Sequence, residues 1–136
     1  MKAISSILYV EDDAHSRDIL ATLLSDVMSV PHVTLFADSS NFTARLEAIQ
    51  PPPDLILLDI HVKPHNGFEM LNAIRAVPHL ATIPVIALTA SVMSEEVKRL
   101  KLAGFNGVIP KPVDIDSFQQ VVERVLHGEQ VWHILA

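Results

Sequence analysis

The chain has 136 residues, a formal net charge of −6 and no cysteine, and 49% of its residues are hydrophobic. This length is typical of one domain, and we predict no membrane insertion, since no apolar run is long enough and no secretory signal is recognisable. The acidic balance argues against direct binding of nucleic acid, which needs a basic face. The absence of cysteine excludes disulfide and thiol chemistry and is typical of a cytoplasmic protein.

Five short apolar runs predict β-strands, at residues 7–10, 32–37, 55–58, 84–88 and 107–109. Each run is followed by a segment whose apolar residues recur at helical spacing. In chain order these positions are Ile19, Leu20, Leu23, Leu24 and Val27; Phe42, Leu46 and Ile49; Phe68, Met70, Leu71 and Ile74; Val97, Leu100 and Ala103; Phe118, Val121, Val122, Val125 and Leu126. Gly104 is predicted to end the fourth helix, because glycine is common just past a helix C-cap.

The alternation of strands and helices predicts an α/β fold. Strands that are apolar throughout are typical of a parallel sheet with helices on both faces, and the crossovers are expected to be right-handed. Ligands of such open sheets bind beyond the carboxyl ends of the strands. Functional residues are therefore expected directly after the strands.

Polar residues stand at the predicted ends of four strands. They are, in chain order, Glu11, Asp12 and Asp13; Asp59; Thr89; and Lys111. Each has an ordinary structural explanation when taken alone: Asp13 can cap the first helix, Asp59 can be a turn residue, and Thr89 and Lys111 can be a strand-end hydroxyl and a loop lysine. Their joint placement at one edge of the sheet favours a functional site.

The chemistry of such a site is consistent. Glu11, Asp12 and Asp59 would repel one another and raise at least one pKa, and Mg²⁺, which prefers oxygen ligands, relieves that repulsion. A carboxylate beside Mg²⁺, with Lys111 and Thr89 nearby, can accept a phosphoryl group as an aspartyl phosphate. The pattern therefore predicts a phosphoryl acceptor at Asp59.

The chain resembles the receiver domain of two-component response regulators of the chemotaxis-regulator type. The resemblance covers residues 4 to 127 and lies in the stretches ILYVEDD, LILLD, NG at 66–67, ALTA at 87–90 and PKP at 110–112. It implies a flavodoxin-like (βα)5 three-layer sandwich with the parallel strands in the order 2-1-3-4-5. On this basis residues 1–127 are the receiver domain, and residues 128–136 are a C-terminal tail or a helix extension.

The resemblance implies a role for each residue of the site. Asp59 is the phosphoacceptor, and Mg²⁺ is the cofactor. The implied metal ligands are Glu11, acting mainly through water, Asp12, acting directly, Asp59, and the backbone carbonyl of His61. Thr89 is the switch hydroxyl.

Lys111 completes the implied site, and its peptide bond to Pro112 is expected to be cis. Lys63 and Val108 are among the departures from the family pattern. Lys63 stands where proline is usual, so the loop after Asp59 is expected to differ in shape. Val108 stands where the family often has Tyr or Phe, which affects how the site couples to the rest of the domain.

The resemblance implies that a sensor histidine kinase or a histidine phosphotransfer protein donates the phosphoryl group. A downstream protein then binds the face of helix 4, strand 5 and helix 5, and a phosphorylation-dependent homodimer is compatible with this scheme. No separate substrate turnover is expected.

Two other functions stay open. One is an interaction module with the receiver fold that is not phosphorylated. The other is a small aspartyl-phosphate phosphatase, although that class usually has a second Asp two residues after the nucleophile, where this chain has His61. Trp132, in the tail, is interpreted either as part of a helix extension covering the core or as the start of a linker or self-association contact.

Overall fold

The computed structural model describes residues 4–132, in which five strands alternate with five helices. The strands are β1 (Ser6–Val10), β2 (His32–Phe36), β3 (Leu55–Asp59), β4 (Val85–Thr89) and β5 (Gly107–Pro110). The helices are α1 (Ala14–Thr22), which continues into a π-helical turn (Leu23–Val27), α2 (Phe42–Glu47), α3 (Gly67–Ala76), which is followed by a 3-10 turn (Pro78–Leu80), α4 (Ser94–Ala103) and α5 (Ile115–Leu126). Within residues 4–132, no helix is both long and apolar enough to cross a bilayer.

The five strands form one parallel sheet in the order β2-β1-β3-β4-β5. Side chains of α2, α3 and α4 join one hydrophobic cluster, and side chains of α1 and α5 join the other. Because strand side chains alternate between the two faces, the sheet supplies both clusters. The predicted flavodoxin-like three-layer sandwich is thus confirmed.

The inner strands β1, β3 and β4 are stabilised by the burial of their side chains on both faces of the sheet. Every residue of β1, β3 and β4 is buried, and each fully buried aliphatic side chain contributes roughly 1.5–3 kcal/mol. The outer strand β2 is partly exposed, with Leu35 at 39%. Burial on both faces explains why the runs of the inner strands show no polar alternation.

The apolar stripe predicted for the first helix is wrong at two positions. Ile19 is 50% exposed and Val27 is 56% exposed, whereas Leu20, Leu23 and Leu24 are buried. Val27 lies in the π-helical turn, which has more residues per turn than an α-helix, so the regular spacing that placed it on the buried face no longer holds. Ala103, predicted on the stripe of the fourth helix, is also exposed.

Polar side chains cap the starts of α1, α3 and α5. The Asp13 carboxylate accepts from the Ser16 amide at 2.8 Å at the start of α1, which confirms the capping role considered for it. Asp114 caps α5 in the same way. The predicted end of the fourth helix is confirmed, since Gly104 follows α4 with a φ of 107°.

The tail after α5 is not a helix extension in its described part. The helix ends at Leu126, and Val131 then forms a parallel bridge with Gly107 of β5. Trp132 packs, partly buried, against the hydrophobic cluster on the α2–α3–α4 side. The helical interpretation of this segment was wrong because backbone pairing with the sheet competes with continuation of the helix. Residues 133–136 lie outside the described residues, and the domain boundary at 127 stays a prediction.

Candidate functional site

The strand order brings four of the predicted residues to one edge of the sheet. Asp59 ends β3 and Thr89 ends β4, while Glu11 and Lys111 directly follow β1 and β5. All strands are parallel, so these residues share the carboxyl edge. The Glu11 amide donates to the Phe36 carbonyl at the end of β2, at 3.0 Å, which fixes the chain as it leaves β1.

A lysine and two carboxylates form the centre of this edge. The Lys111 ammonium lies 2.7 Å from Glu11 Oε1 and 3.4 Å from Asp59 Oδ2. Glu11 is 0% exposed and Asp59 is 5% exposed. Buried charges are tolerated when they are paired and hydrogen-bonded, and the single ammonium here contacts both acids, more closely at Glu11. The structure therefore brings together Glu11, Asp59 and Lys111, three residues separated widely in sequence.

Glu11 is held by more donors than the sequence suggested. The Tyr9 hydroxyl donates to Oε1 at 2.9 Å, the Asp13 amide donates to Oε2 at 3.2 Å, and the Arg17 guanidinium donates to the Glu11 carbonyl at 2.7 Å. Sequence reasoning missed Tyr9. A signal existed, since Tyr9 stands two residues before Glu11, and residues two apart in a strand face the same side.

Burial and the Glu11 carboxylate raise the pKa of the Tyr9 phenol above its usual range. The phenol therefore remains protonated and continues to donate to Glu11. Both oxygens of the Glu11 carboxylate already accept hydrogen bonds from the protein, which limits its freedom to move toward a ligand.

A third carboxylate completes an acidic cluster. Carboxylate oxygens of Glu11, Asp12 and Asp59 lie within 4.8 Å of one another, and Asp12 is exposed. An all-oxygen donor set of this kind suits a hard divalent cation such as Mg²⁺, which retains several waters. The His61 amide donates to Asp59 Oδ1 at 3.1 Å, which places the His61 backbone beside the cluster. Its carbonyl as a metal ligand stays a prediction.

The electrostatics of the pair Glu11 and Asp59 are unequal. Burial and the neighbouring Glu11 raise the pKa of Asp59 from 3.8 to about 6, although the His61 amide and the Lys111 ammonium oppose this rise. Burial also acts to raise the pKa of Glu11, but a hydrogen bond from the protonated form of Asp59 and one from the Lys111 ammonium outweigh it and hold that pKa below its usual range. The predicted repulsion among the acids thus appears at Asp59.

The Lys111 ammonium responds in the opposite sense. Burial disfavours the charged form, yet the hydrogen bond to Glu11 and the charge of Asp59 outweigh it and raise the pKa of Lys111. The ammonium is therefore a fixed positive charge at neutral pH, directed at both carboxylates.

Thr89 is joined to Lys111 through the pairing of β4 and β5. Its carbonyl accepts from the Lys111 amide at 2.9 Å, and its hydroxyl oxygen accepts from the Ser91 amide at 3.1 Å. Thr89 directly follows Leu88, the residue that pairs with Asp59 in the sheet. Thr89 therefore lies at the carboxyl edge of the sheet, one residue beyond the level of Asp59.

A buried serine ties together two loops at this edge. The Ser39 hydroxyl donates to the His65 carbonyl and accepts from the His65 amide, both at 2.7 Å, and the Ser39 amide donates to the Lys63 carbonyl at 3.1 Å. Sequence reasoning missed Ser39, because nothing local distinguishes it from an ordinary loop serine. These bonds hold the loop between β3 and α3 against the loop after β2.

The remaining predictions concern the peptide bond between Lys111 and Pro112, the loop after Asp59, and the side chain at Val108. The Lys111–Pro112 bond is cis, as predicted, and the Lys63–Pro64 bond in the loop after Asp59 is also cis. Val108 is 3% exposed, and its amide donates to the Val131 carbonyl. The position where the family often has an aromatic ring is thus filled by a small, buried residue.

Comparison with known proteins identifies relatives of this domain. A family model described as the response regulator receiver domain matches residues 7–123. An uncharacterized 14.6 kDa protein of Leptolyngbya boryana is 34% identical over 118 residues, which are 87% of each chain. The signal transduction histidine-protein kinase BarA of Escherichia coli K12 is 30% identical over 130 residues; these are 96% of this chain but 14% of the kinase.

A solved structure shows the same fold with a metal present. The receiver domain of a sensor histidine kinase from Pseudomonas aeruginosa PAO1 is 28% identical and matches with a TM-score of 0.76. The match covers 92% of this chain and 99% of that one. That domain was solved with a magnesium ion coordinated in its active-site cleft.

Proposed function

Since the chain belongs to the response regulator receiver domain family, we propose that it accepts a phosphoryl group on Asp59 with Mg²⁺ bound. The main support for this proposal is that Glu11, Asp59 and Lys111 meet, with both acids buried, at the carboxyl edge of the sheet. Asp59 lies beside Glu11 and within 3.4 Å of the Lys111 ammonium, and its pKa is raised to about 6. A carboxylate held beside a like charge in this way gains from a bound cation.

The acidic cluster supports the metal assignment. Asp12, which is exposed, and Asp59 would hold Mg²⁺ directly, with the His61 carbonyl as the third protein ligand. Glu11 would act through water, because its oxygens are already engaged by Tyr9, Lys111 and Asp13. When bound, Mg²⁺ neutralises charge on the transferring phosphoryl oxygens.

The residues of the chain then perform the transfer. An Asp59 carboxylate oxygen attacks the phosphorus of a phosphohistidine, so that a P–O bond forms while the P–N bond to the imidazole breaks. The departing imidazole takes up a proton and leaves as a neutral ring. The Lys111 ammonium and the Thr89 hydroxyl would stabilise the phosphoryl oxygens.

The partners follow from the family. Receiver domains interact with histidine kinases and downstream effectors, and we propose that a sensor histidine kinase or a histidine phosphotransfer protein is the donor here. The downstream protein would bind the face of α4, β5 and α5, where Leu102 is 80% exposed and Met93 is 72% exposed. Phosphorylation would bias an equilibrium between inactive and active conformations. A phosphorylation-dependent homodimer is one form of that response, and the cytoplasmic location stays a prediction.

Intact-mass spectrometry tests the proposal. The wild type is incubated with acetyl phosphate in the presence and absence of Mg²⁺, beside Asp59→Asn and Asp13→Asn. We expect one added phosphoryl group on the wild type and on Asp13→Asn, since asparagine also caps a helix. We expect none on Asp59→Asn and none without Mg²⁺.

Two results would contradict the proposal. A phosphoryl group added to Asp59→Asn would show that a residue other than Asp59 is the acceptor. A folded wild type that gains no phosphoryl group, either from acetyl phosphate or from a phosphorylated histidine phosphotransfer protein, would favour the interaction module that is not phosphorylated.

A further inference from the structure

The chain turns sharply after α5 and runs back along the sheet. Gly128 has a φ of 92°, which a residue without a side chain adopts readily. Its amide donates to the Val125 carbonyl at 3.0 Å, and the Glu129 amide donates to the Arg124 carbonyl at 3.1 Å. These two bonds form the Schellman motif that closes a helix. The backbone itself therefore sets the direction of the tail.

Val131 then pairs with the outer edge of β5. Its amide donates to the Asn106 carbonyl at 3.2 Å, and its carbonyl accepts from the Val108 amide at 3.1 Å. Val131 is 2% exposed and belongs to the hydrophobic cluster on the α5 side. Since β5 is the last strand of the sheet, these bonds use backbone groups that an edge strand otherwise presents to other chains.

Gly107 leaves the space that the tail occupies. A Cβ at this position would lie 3.1 Å from the Val131 carbonyl oxygen and 3.3 Å from Val125 Cγ2. Glycine in a strand often marks a place where another backbone approaches closely. The lack of a side chain at Gly107 therefore lets the backbone of the tail approach β5 closely.

Trp132 extends the tail onto α4. Its indole N–H donates to Gln130 Oε1 at 3.1 Å, and the Lys101 ammonium lies 5.8 Å from the ring centroid, within the range of a cation–π contact. With Val97 and Leu102, Trp132 lines a groove of about 680 Å³. The tail thus covers the edge of β5 and forms one wall of the α4 surface.

We propose that residues 129–132 are an intramolecular latch that closes the β5 edge to other extended peptide segments. Extended peptides bind sheet edges through backbone hydrogen bonds of the kind Val131 makes, so the latch and such a segment exclude each other. An outside segment can bind only those molecules in which the latch is released. Its apparent affinity is therefore lower when that released fraction is smaller. The link to signalling rests on the proposed function, which places the downstream partner on this face.

Amide hydrogen exchange on the full, unphosphorylated chain tests the latch. The Val108 amide is the reporter, because its acceptor is the Val131 carbonyl. We expect its exchange to become about tenfold faster or more in Val131→Asp and in Gly107→Ala. It should stay near the wild-type rate in Val131→Ile, and the Leu57 amide of β3 should stay protected throughout.

Rescue in trans makes the test specific. A peptide of residues 127–136 should restore protection of the Val108 amide in Val131→Asp, with an affinity on the order of millimolar because the covalent link is lost. The same peptide should leave the wild type and the double variant with Gly107→Ala unchanged.

Two outcomes would overturn the latch. One is wild-type protection of the Val108 amide in Val131→Asp while Leu57 stays protected. The other is that the peptide restores protection of the Val108 amide equally in Val131→Asp and in the double variant that also carries Gly107→Ala. No phosphodonor is used, so a failure of phosphorylation at Asp59 leaves these results unaffected.

Discussion

Replacing the proposed acceptor should stabilise the metal-free domain at neutral and alkaline pH. Asp59 is 5% exposed, and its pKa is raised from 3.8 to about 6, first by burial and then by Glu11. At about 1.36 kcal/mol per pH unit, that rise corresponds to roughly 3 kcal/mol against the charged form. Asp59→Asn keeps the shape of the side chain and removes this penalty.

The sign follows from proton linkage. The folded state binds the Asp59 proton more tightly than the unfolded state does. The stabilisation of the folded state by this proton is therefore complete below pH 3.8 and is lost as the pH rises through about 6. Asn cannot ionise and suffers no such loss. The pKa of about 6 already includes the attraction between Asp59 and Lys111, so we expect a net gain of about 1–3 kcal/mol at pH 8 and little gain at pH 4.

Thermal unfolding in EDTA at pH 4, 6 and 8 measures the difference. For a domain of this size the gain at pH 8 corresponds to a rise in Tm on the order of 3–10 °C. Asp18→Asn, an exposed change on α1, controls for the loss of one negative charge. Added Mg²⁺ should raise the Tm of the wild type more than that of Asp59→Asn. An unchanged or lower Tm for Asp59→Asn at pH 8 would refute the assignment of a destabilised charge to Asp59.

Three further substitutions probe the surroundings of the site. Tyr9→Phe removes the hydroxyl that donates to Glu11 and should cost about 1 kcal/mol in urea unfolding; an unchanged midpoint would contradict this. Ser39→Ala leaves the His65 amide and carbonyl without their partner and should cost about 1–3 kcal/mol, with Ser40→Ala as the control. Lys111→Met removes the ammonium that contacts two buried acids and should lower the Tm more at pH 8, where both acids are charged, than at pH 5; equal losses would contradict that role.

Much of the fold could be predicted from the sequence, because burial on both faces leaves a simple pattern. LILL before Asp59 is apolar without alternation, as a central parallel strand requires. The site followed from the same rule, since Glu11, Asp59 and Lys111 each stand where a strand ends. Val27 shows the limit of the pattern, because a π-helical turn rotated it to the surface.

Other features depend on contacts between residues far apart in the chain. Ser39 bonds to His65, 26 positions away, and nothing in either local sequence points to the other.

By itself, the sequence determined the order of the elements, the apolar faces that must be buried and the polar residues at the strand ends. These features depend on local spacing and on the hydrophobic effect. Only the tertiary structure decided that Tyr9 holds Glu11, that Asp59 carries the raised pKa, and that Val131 closes the edge of β5 at Gly107. Those outcomes depend on distances of a few ångströms between separate segments, which are defined only once the sheet has assembled.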